Sequence, residues 1–287
     1  MRQITIIGTG LMGGSLALGL KKRGFGGRVV GCDRAGVLAE AQDRGAIDAG
    51  FEDARRACEG SDVVVLATPV GGIIDLIERL GPVLATDTLL TDVGSTKAEI
   101  LARARQVFGD QAAQRFLAGH PMAGKEVGGM AHADPDLFAG AVWLITPVPG
   151  QDNELCGEGP ATKIRELAGW ISRLGARIIS MDAARHDRLC AWISHLPQML
   201  STALAATLEA EVGDDLELHA IGGRALREMT RLAQSPYAMW RDIALTNTAN
   251  LQEALLQLEQ RLAHLRENLR TRELESEFER AARFKQF

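Results

Sequence analysis

The chain has 287 residues, 46% of them apolar and 24% charged, and a net charge of −5. That length holds about two domains with a sizeable core, and the acidic balance argues against a general nucleic-acid binder. No signal peptide precedes the first strand-like residues at Gln3 and no apolar run is long enough to span a bilayer, so a cytoplasmic protein is expected, with no membrane partner.

The first stretch, Ile4 to Asp33, carries the clearest pattern. An apolar run (Ile4 to Ile7) meets Gly8, Gly10 and Gly13 in G-x-G-x-x-G spacing, a helical pattern follows, and a second apolar run closes on Asp33. Gly8 allows a tight turn, Gly10 a close approach of backbone to a pyrophosphate, and Gly13 close helix–strand packing. Leu11 and Met12 sit at the helix N-terminus, where free N–H groups face the phosphates. A carboxylate at Asp33 can accept both hydroxyls of a ribose and repels a 2′-phosphate, so NAD is the expected cofactor. The adjacent Arg34 is the residue that could accommodate that phosphate instead.

Apolar runs then alternate with helical patterns. Strands are expected at Asp62–Pro69, Thr88–Gly94, Phe116–Ala118, Val142–Thr146 and Arg177–Asp182, with helices over Gly71–Leu84, Lys97 to about Phe108 and about Ala161 to Leu174. The Thr96–Glu99 spacing predicts a capping box for the second of these helices. Pro147–Pro160 reads as a loop. Such alternation predicts an α/β fold, a doubly wound parallel sheet with helices on both faces. Ligands bind outside the carboxyl ends of such strands. Thr68, Pro69, Gly94, Ser95 and His120 are therefore expected near the cofactor.

At about Ala183 the pattern changes to helices alone, giving a division into residues 1–182 and 183–287. Pro197 falls inside the predicted helix Asp187–Val212 and should kink it, leaving the Ile193 carbonyl without its usual donor. Leu251, Leu255, Leu258, Leu262, Leu265 and Leu269 alternate at spacings of four and three. This stripe predicts a helical dimerisation surface, packing within the domain being the alternative.

Several polar residues could do chemistry. His120, at a strand end, is a candidate general base; a structural role is the other reading. Ser95 is either a helix cap or a hydrogen-bond partner for a histidine or a nicotinamide amide, and Lys97 reads as a solvated first-turn residue. Ser194, His195 and Gln198 can share one helical face. Arg231 and Arg241 are candidates for binding a substrate carboxylate. His186 reads as a capping or packing residue. Cys32, Cys58, Cys156 and Cys190 form no C-x-x-C pair and read as reduced thiols, and no metal cluster is expected.

With Gly8–Ser15, DVGSTK (Asp92–Lys97), GHPMAGKE (Gly119–Glu126), ISHLPQ (Ile193–Gln198) and TRLAQSPYAMWRDI (Thr230–Ile243) in that order, the chain resembles the prephenate/arogenate dehydrogenase family of tyrosine biosynthesis. The resemblance implies a Rossmann domain joined to a helical dimerisation domain, with the active site between them. It implies NAD-dependent oxidative decarboxylation of prephenate to 4-hydroxyphenylpyruvate, or of arogenate to tyrosine, by a homodimer. His120 matches the catalytic histidine and Ser95 the serine that orients it; the base would have to be neutral, so activity should rise with pH through its pKa. Ser194 and His195 match substrate-pocket residues, and Arg231 matches the arginine holding the substrate carboxylate. Glu126 and Trp240 match positions near the pocket entrance, where Lys125 is a further expected contact. Gln198 stands where many members have histidine; glutamine cannot take a proton. Lacking an evident acidic partner for the arogenate ammonium, the pocket favours prephenate. No fused mutase segment and no C-terminal regulatory domain are expected. The rival readings are a 3-hydroxyacid-type dehydrogenase or imine reductase, for which Asp187–Val212 lacks the expected lysine, and a non-catalytic NAD-responsive binding module.

Overall fold

A computed structural model describes residues 1–125, 127–149, 151, 162–213 and 216–284. The first half is an eight-stranded sheet of order β3-β2-β1-β4-β5-β6-β7-β8. The strands are β1 (Gln3–Ile7), β2 (Arg28–Cys32), β3 (Ala49–Phe51), β4 (Val63–Leu66), β5 (Leu89–Asp92), β6 (Phe116–Pro121), β7 (Val142–Thr146) and β8 (Arg177–Ser180). The helices between them are α1 (Leu11–Lys22), α2 (Ala35–Asp43), α3 (Ala54–Cys58), α4 (Val70–Leu80), α5 (Ala98–Phe108), α6 (Ala112–Arg115) and α7 (Lys163–Arg173). Val63–Leu66 is buried throughout because both faces of the sheet are covered. One core packs α1, α2 and α7 on the sheet, and the other packs α4 and α5 on its opposite face.

The sheet departs from the expected all-parallel arrangement at one place. Strands β6 and β7 pair antiparallel, with His120 opposite Leu144. The reason is the connection. Residues 127–141 do not cross over as a helix but return along the carboxyl edge of the sheet, resting on α1. Ser15 Oγ accepts a hydrogen bond from Asp134 N at 2.8 Å, and Arg44 holds the carbonyls of Met130 and Ala133.

The fingerprint glycines have separate steric reasons. Gly8 has φ +93°, and a Cβ there would meet Ala67 O at 2.6 Å. A Cβ on Gly13 would lie 1.9 Å from Gly8 O, whereas one on Gly10 would meet nothing within 4 Å.

The second half is helical: α8 (Ala183–Cys190), α9 (Leu196–Val212), α10 (Leu216–Ile221), α11 (Arg224–Thr230), α12 (Tyr237–Thr246), α13 (Thr248–Glu267) and α14 (Glu273–Phe284). Asp182 caps α8 by accepting from Arg185 N at 2.9 Å. Between α8 and α9, Ala191–His195 forms a π-helical turn in which Leu196 N donates to Ala191 O. Pro197 has no N–H for Ile193 O and its ring crowds that turn; widening to five-residue spacing accommodates it without breaking the helix. From Tyr237 to Phe284 the chain forms three helices, and the leucine stripe falls mostly on the second. Along its stripe Leu251 is buried, while Leu255, Leu262 and Leu269 are 37%, 51% and 64% exposed in the single chain. Among the described residues, no helix is long and apolar enough to cross a membrane.

The close approach at Gly13 makes a prediction. Gly13→Ala should lower stability by at least about 3 kcal/mol, because backbone cannot yield to the added methyl. Gly10→Ala should stay within about 1 kcal/mol of the parent. Thermal unfolding of the two variants checks this, and equal melting temperatures would remove the packing role assigned to Gly13.

Candidate active site

The carboxyl ends of β1, β4, β5 and β6 form one edge, and the helical domain stands over it. Between them is a cleft of about 560 Å³. Its sheet-side wall includes Leu11, Met12, Ser95, His120 and Lys125; its helical wall includes Ser194, Gln198, Arg231 and Trp240. Residues scattered through the sequence from 11 to 240 thus meet in one cavity.

His120 is 8% exposed. Its Nδ1 lies 2.9 Å from His186 Nε2, and His186 Nδ1 lies 2.8 Å from Asp187 Oδ1. A carboxylate only accepts, so His186 carries its proton on Nδ1 and offers Nε2 as an acceptor. His120 must then donate from Nδ1. Its Nε2 is the nitrogen left bare for the cleft, with the lone pair a general base needs. Burial, and after it the neighbouring His186, Lys97 and His195, hold the His120 pKa well below the ordinary 6.5. The ring is therefore neutral through the whole neutral range.

Among the described residues the orienting partner of His120 is His186, not Ser95, which stands beside it on the cleft wall. Asp187 does more than fix a tautomer. Its Oδ1 also accepts from Lys97 N at 2.7 Å and its Oδ2 from Ala98 N at 2.9 Å. Those are first-turn donors of α5, which prefer a negative partner. A carboxylate from the helical domain thus supplies the cap expected from a Thr96–Glu99 box, while Thr96 Oγ1 pairs with Thr246 Oγ1 at 2.7 Å. Asp242 does the same for α4, accepting from Gly71 N at 2.9 Å.

Lys97 is not the solvated residue its position predicts. It is fully buried under β6, paired with Asp92 and donating to Gly119 O at 2.7 Å. Burial lowers its pKa, and Asp92 opposes that shift. Asp92 also accepts from Gly94 N at 2.8 Å and Gly119 N at 3.2 Å. The pair therefore holds the backbone immediately before Ser95, at Gly94, and immediately before His120, at Gly119.

His195 is set back from the cleft. It is 1% exposed, its ring stands edge-on to Trp240, and its Nδ1 lies 3.2 Å from Asn247 Nδ2. Gln198 Nε2 donates to Leu232 O at 2.8 Å and Thr202 Oγ1 at 3.2 Å, which leaves Oε1 for a ligand. Lys125 pairs with Asp134 at 3.2 Å on the rim. Arg241 pairs with Asp242 rather than facing the cleft. Glu126 lies outside the described residues.

The fingerprint fits a dinucleotide. Space is open at Gly10. Asp33 is oriented by Thr9 N on Oδ2 and Arg34 N on Oδ1, both at 2.8 Å, while the Arg34 side chain is exposed. Pro69 caps α4. Thr68 Oγ1, beside the start of α4, and Trp240 Nε1, on the helical wall of the cleft, are buried without a hydrogen-bond partner among the described residues.

His186, Asp187, Lys97, Asp92 and Asn247 went unrecognised as site residues. The usable signal was His186, Asp187 and Cys190 within the short helix that Asp182 caps: polar residues next to an apolar face need partners.

One consequence concerns stability. Burial, and next the neighbouring His186, lower the pKa of His195 to about 4, against the opposing pull of Asp187. The unfolded chain then binds a proton the folded one refuses. Stability should be level above about pH 6.5 and fall as pH drops, by about 3 kcal/mol at pH 4 from this group alone. His120 acts in the same direction. Unfolding at pH 7, 5.5 and 4 tests this; His195→Asn should flatten part of the slope, and an unchanged slope would exclude His195 as its source.

Comparison with known proteins identifies the family. The family model for the prephenate dehydrogenase nucleotide-binding domain matches residues 16–158, and that for the prephenate dehydrogenase dimerization domain matches residues 182–284. The chain is 34% identical over 248 residues to prephenate dehydrogenase of Lactococcus lactis subsp. cremoris, covering 86% of this chain and 65% of that one. It is 27% identical over 254 residues to cyclohexadienyl dehydrogenase of Zymomonas mobilis, covering 87% and 82%. This chain thus spans just under two thirds of the Lactococcus relative, as it does of a Bacillus subtilis prephenate dehydrogenase, at 64%. The crystal structure of A. aeolicus prephenate dehydrogenase in complex with hydroxyphenyl propionate and NAD+ superposes with a TM-score of 0.87 at 30% identity, covering 100% of this chain and 97% of that one. Synechocystis arogenate dehydrogenase gives 0.77 at 28%, covering 99% and 100%. Matched by both domain models, this chain belongs to the prephenate dehydrogenase family.

Proposed function

We propose that this chain catalyses the NAD-dependent oxidative decarboxylation of prephenate to 4-hydroxyphenylpyruvate. The observation that carries the reading is His120: a neutral imidazole with Nδ1 held by His186 and Nε2 facing a cleft that Arg231 lines from the other domain. The bound nicotinamide would supply the hydride acceptor. His120 takes the proton of the ring hydroxyl as hydride leaves the same carbon. The bond to the ring carboxylate then breaks, carbon dioxide departs, and its electron pair makes the ring aromatic. His120 returns the proton to the phenolate oxygen. Aromatisation drives the reaction, so the protein's task is to orient the ring and hold one proton. Arg231 anchors a substrate carboxylate, and Ser95 and Ser194 offer hydroxyls from the two walls. The helical half, residues 183–287, is the substrate and dimerisation domain, and the exposed leucines of its stripe are the surface that two copies would bury.

A second reading within the same chemistry comes from Gln198. With both amide hydrogens used internally, its Oε1 is an acceptor, which suits the ammonium of arogenate. NADH formation from prephenate and arogenate, assayed in parallel, separates the two; turnover of neither by folded protein would sink both.

His120→Asn should reduce kcat by at least about a hundredfold with NAD affinity unchanged. The lowered pKa reverses the expectation of activity rising through pH 6.5. Because the base is already neutral there, kcat should stay level from pH 9 to about 6 and fall only in acid. A profile climbing through pH 6.5 would contradict the buried relay. Asp33 accounts for the cofactor. NAD should be preferred over NADP, and Asp33→Asn, with Arg34 retained, should narrow that preference by roughly tenfold, or about 1.4 kcal/mol. Ratios of kcat/KM for the two cofactors measure it.

A further inference from the structure

The proposed reaction uses His186 only to hold His120, and it makes no use of Cys190. Yet His186 and Cys190 are four residues apart on one face of α8, and β6 brings His120 against them. One ring nitrogen of His120, one of His186 and Cys190 Sγ lie within 4.8 Å of one another, and all three residues are buried. The His120–His186 separation is 2.9 Å and the His186–Cys190 separation 3.7 Å. We propose that His120, His186 and Cys190 form a three-donor site for Zn²⁺, and that its occupation shuts off the proton acceptor of the cleft.

Three features favour this. The donor set, two imidazoles and a thiol, suits a borderline-soft ion such as Zn²⁺ and not Mg²⁺ or Ca²⁺. The separations are near those required: Zn–N near 2.0 Å and Zn–S near 2.3 Å place tetrahedral donors roughly 3.3 to 3.6 Å apart. The shortest edge must open by a few tenths of an ångström, and the thiol must swing toward His120 by about 1 Å at most. Finally, Asp187 Oδ1 already backs His186 Nδ1 at 2.8 Å. A carboxylate behind the far nitrogen is the arrangement that orients metal-ligating histidines and raises their basicity.

The exchange balances without redox chemistry. Zn²⁺ takes the Nε2 lone pair of His186, the Nδ1 lone pair of His120 and the thiolate of Cys190. One proton, from the Cys190 thiol, goes to solvent. His120 stays neutral but changes tautomer: its proton moves from Nδ1 to Nε2. The nitrogen facing the cleft becomes a donor and can no longer accept the hydroxyl proton. Without metal, burial pushes the Cys190 thiol up to about 12, so it remains a protonated, inert group.

The inhibitory consequence rests on His120 being the base; metal binding does not, and the test separates the two. Metal-free protein without substrate is titrated with Co²⁺. A thiolate-to-cobalt charge-transfer band and tetrahedral visible bands should appear, saturate near one equivalent and be displaced by Zn²⁺ but not by Mg²⁺. Cys190→Ser should abolish the charge-transfer band, although Cys32, Cys58 and Cys156 remain; Cys190→Ala serves if the serine variant does not fold. In the NADH assay, micromolar Zn²⁺ should reduce turnover at least tenfold, reversibly by EDTA. Cys190→Ser, with basal turnover retained, should need at least tenfold more Zn²⁺. No cobalt–thiolate band in the parent, or an identical band in Cys190→Ser, overturns the site. A band that behaves as expected in a protein that turns over neither prephenate nor arogenate leaves the site standing and removes the reaction.

Discussion

The Asp187 carboxylate is the constraint on which the cleft depends. One side chain from the helical domain accepts two backbone N–H groups at the start of α5 and one ring N–H from His186. The first pair fixes where the helical domain sits on the sheet. The third fixes which nitrogen of His186, and so of His120, carries a proton. Domain registry and the protonation pattern of the candidate base are thus decided by the same two oxygens. Asp242 reinforces the registry at α4. Each helix N-terminus of this pair would otherwise need a local cap; by taking it from the other domain, the fold makes docking of the halves part of its own backbone bookkeeping.

Beneath this lies a second buried ion, Lys97, whose ammonium is removed from water entirely. A buried charge of this kind is tolerable only where its partners are complete, and here Asp92 and the Gly119 carbonyl provide them. Replacing the pair by apolar residues could fill the same volume, but it would release the two glycine N–H groups that Asp92 holds. The charge also repels a proton on His120. Structural satisfaction and electrostatic tuning coincide, which explains a lysine in a place where sheet cores are normally aliphatic.

Much of the fold was legible because it rests on local pattern. Val142–Thr146 was readable to the residue, and the glycine fingerprint named both its turn and its acid. What escaped rests on tertiary context. Strand direction leaves no mark in a five-residue apolar run such as Val142–Thr146, so the antiparallel β6–β7 pair could not be read. Ala49–Phe51 is too short to show a period. The Thr96–Glu99 spacing obeyed a local rule that a distant carboxylate overrode. Lys97 looked solvated because first-turn lysines usually are. His120, Arg231, Ser194 and Gln198 line the cleft, while His195 lies behind Trp240, the π-helical turn at Ala191–His195 rotating this segment relative to a regular helix.

That turn links sequence to chemistry most directly. Pro197 cannot donate to Ile193 O, and a regular α-helix through it would break or kink. The wider turn keeps α8 and α9 continuous and advances the residues after it around the axis. Ser194 therefore faces the cleft while His195, one residue on, packs inward against Asn247, whose Nδ2 also holds the Asp187 carbonyl at 2.8 Å. The helix bearing His186 and Asp187 and the helix bearing Gln198 are in effect one rod with a step in it. The step lets a single rod present a proton relay to the sheet at one end and a polar wall to the substrate at the other.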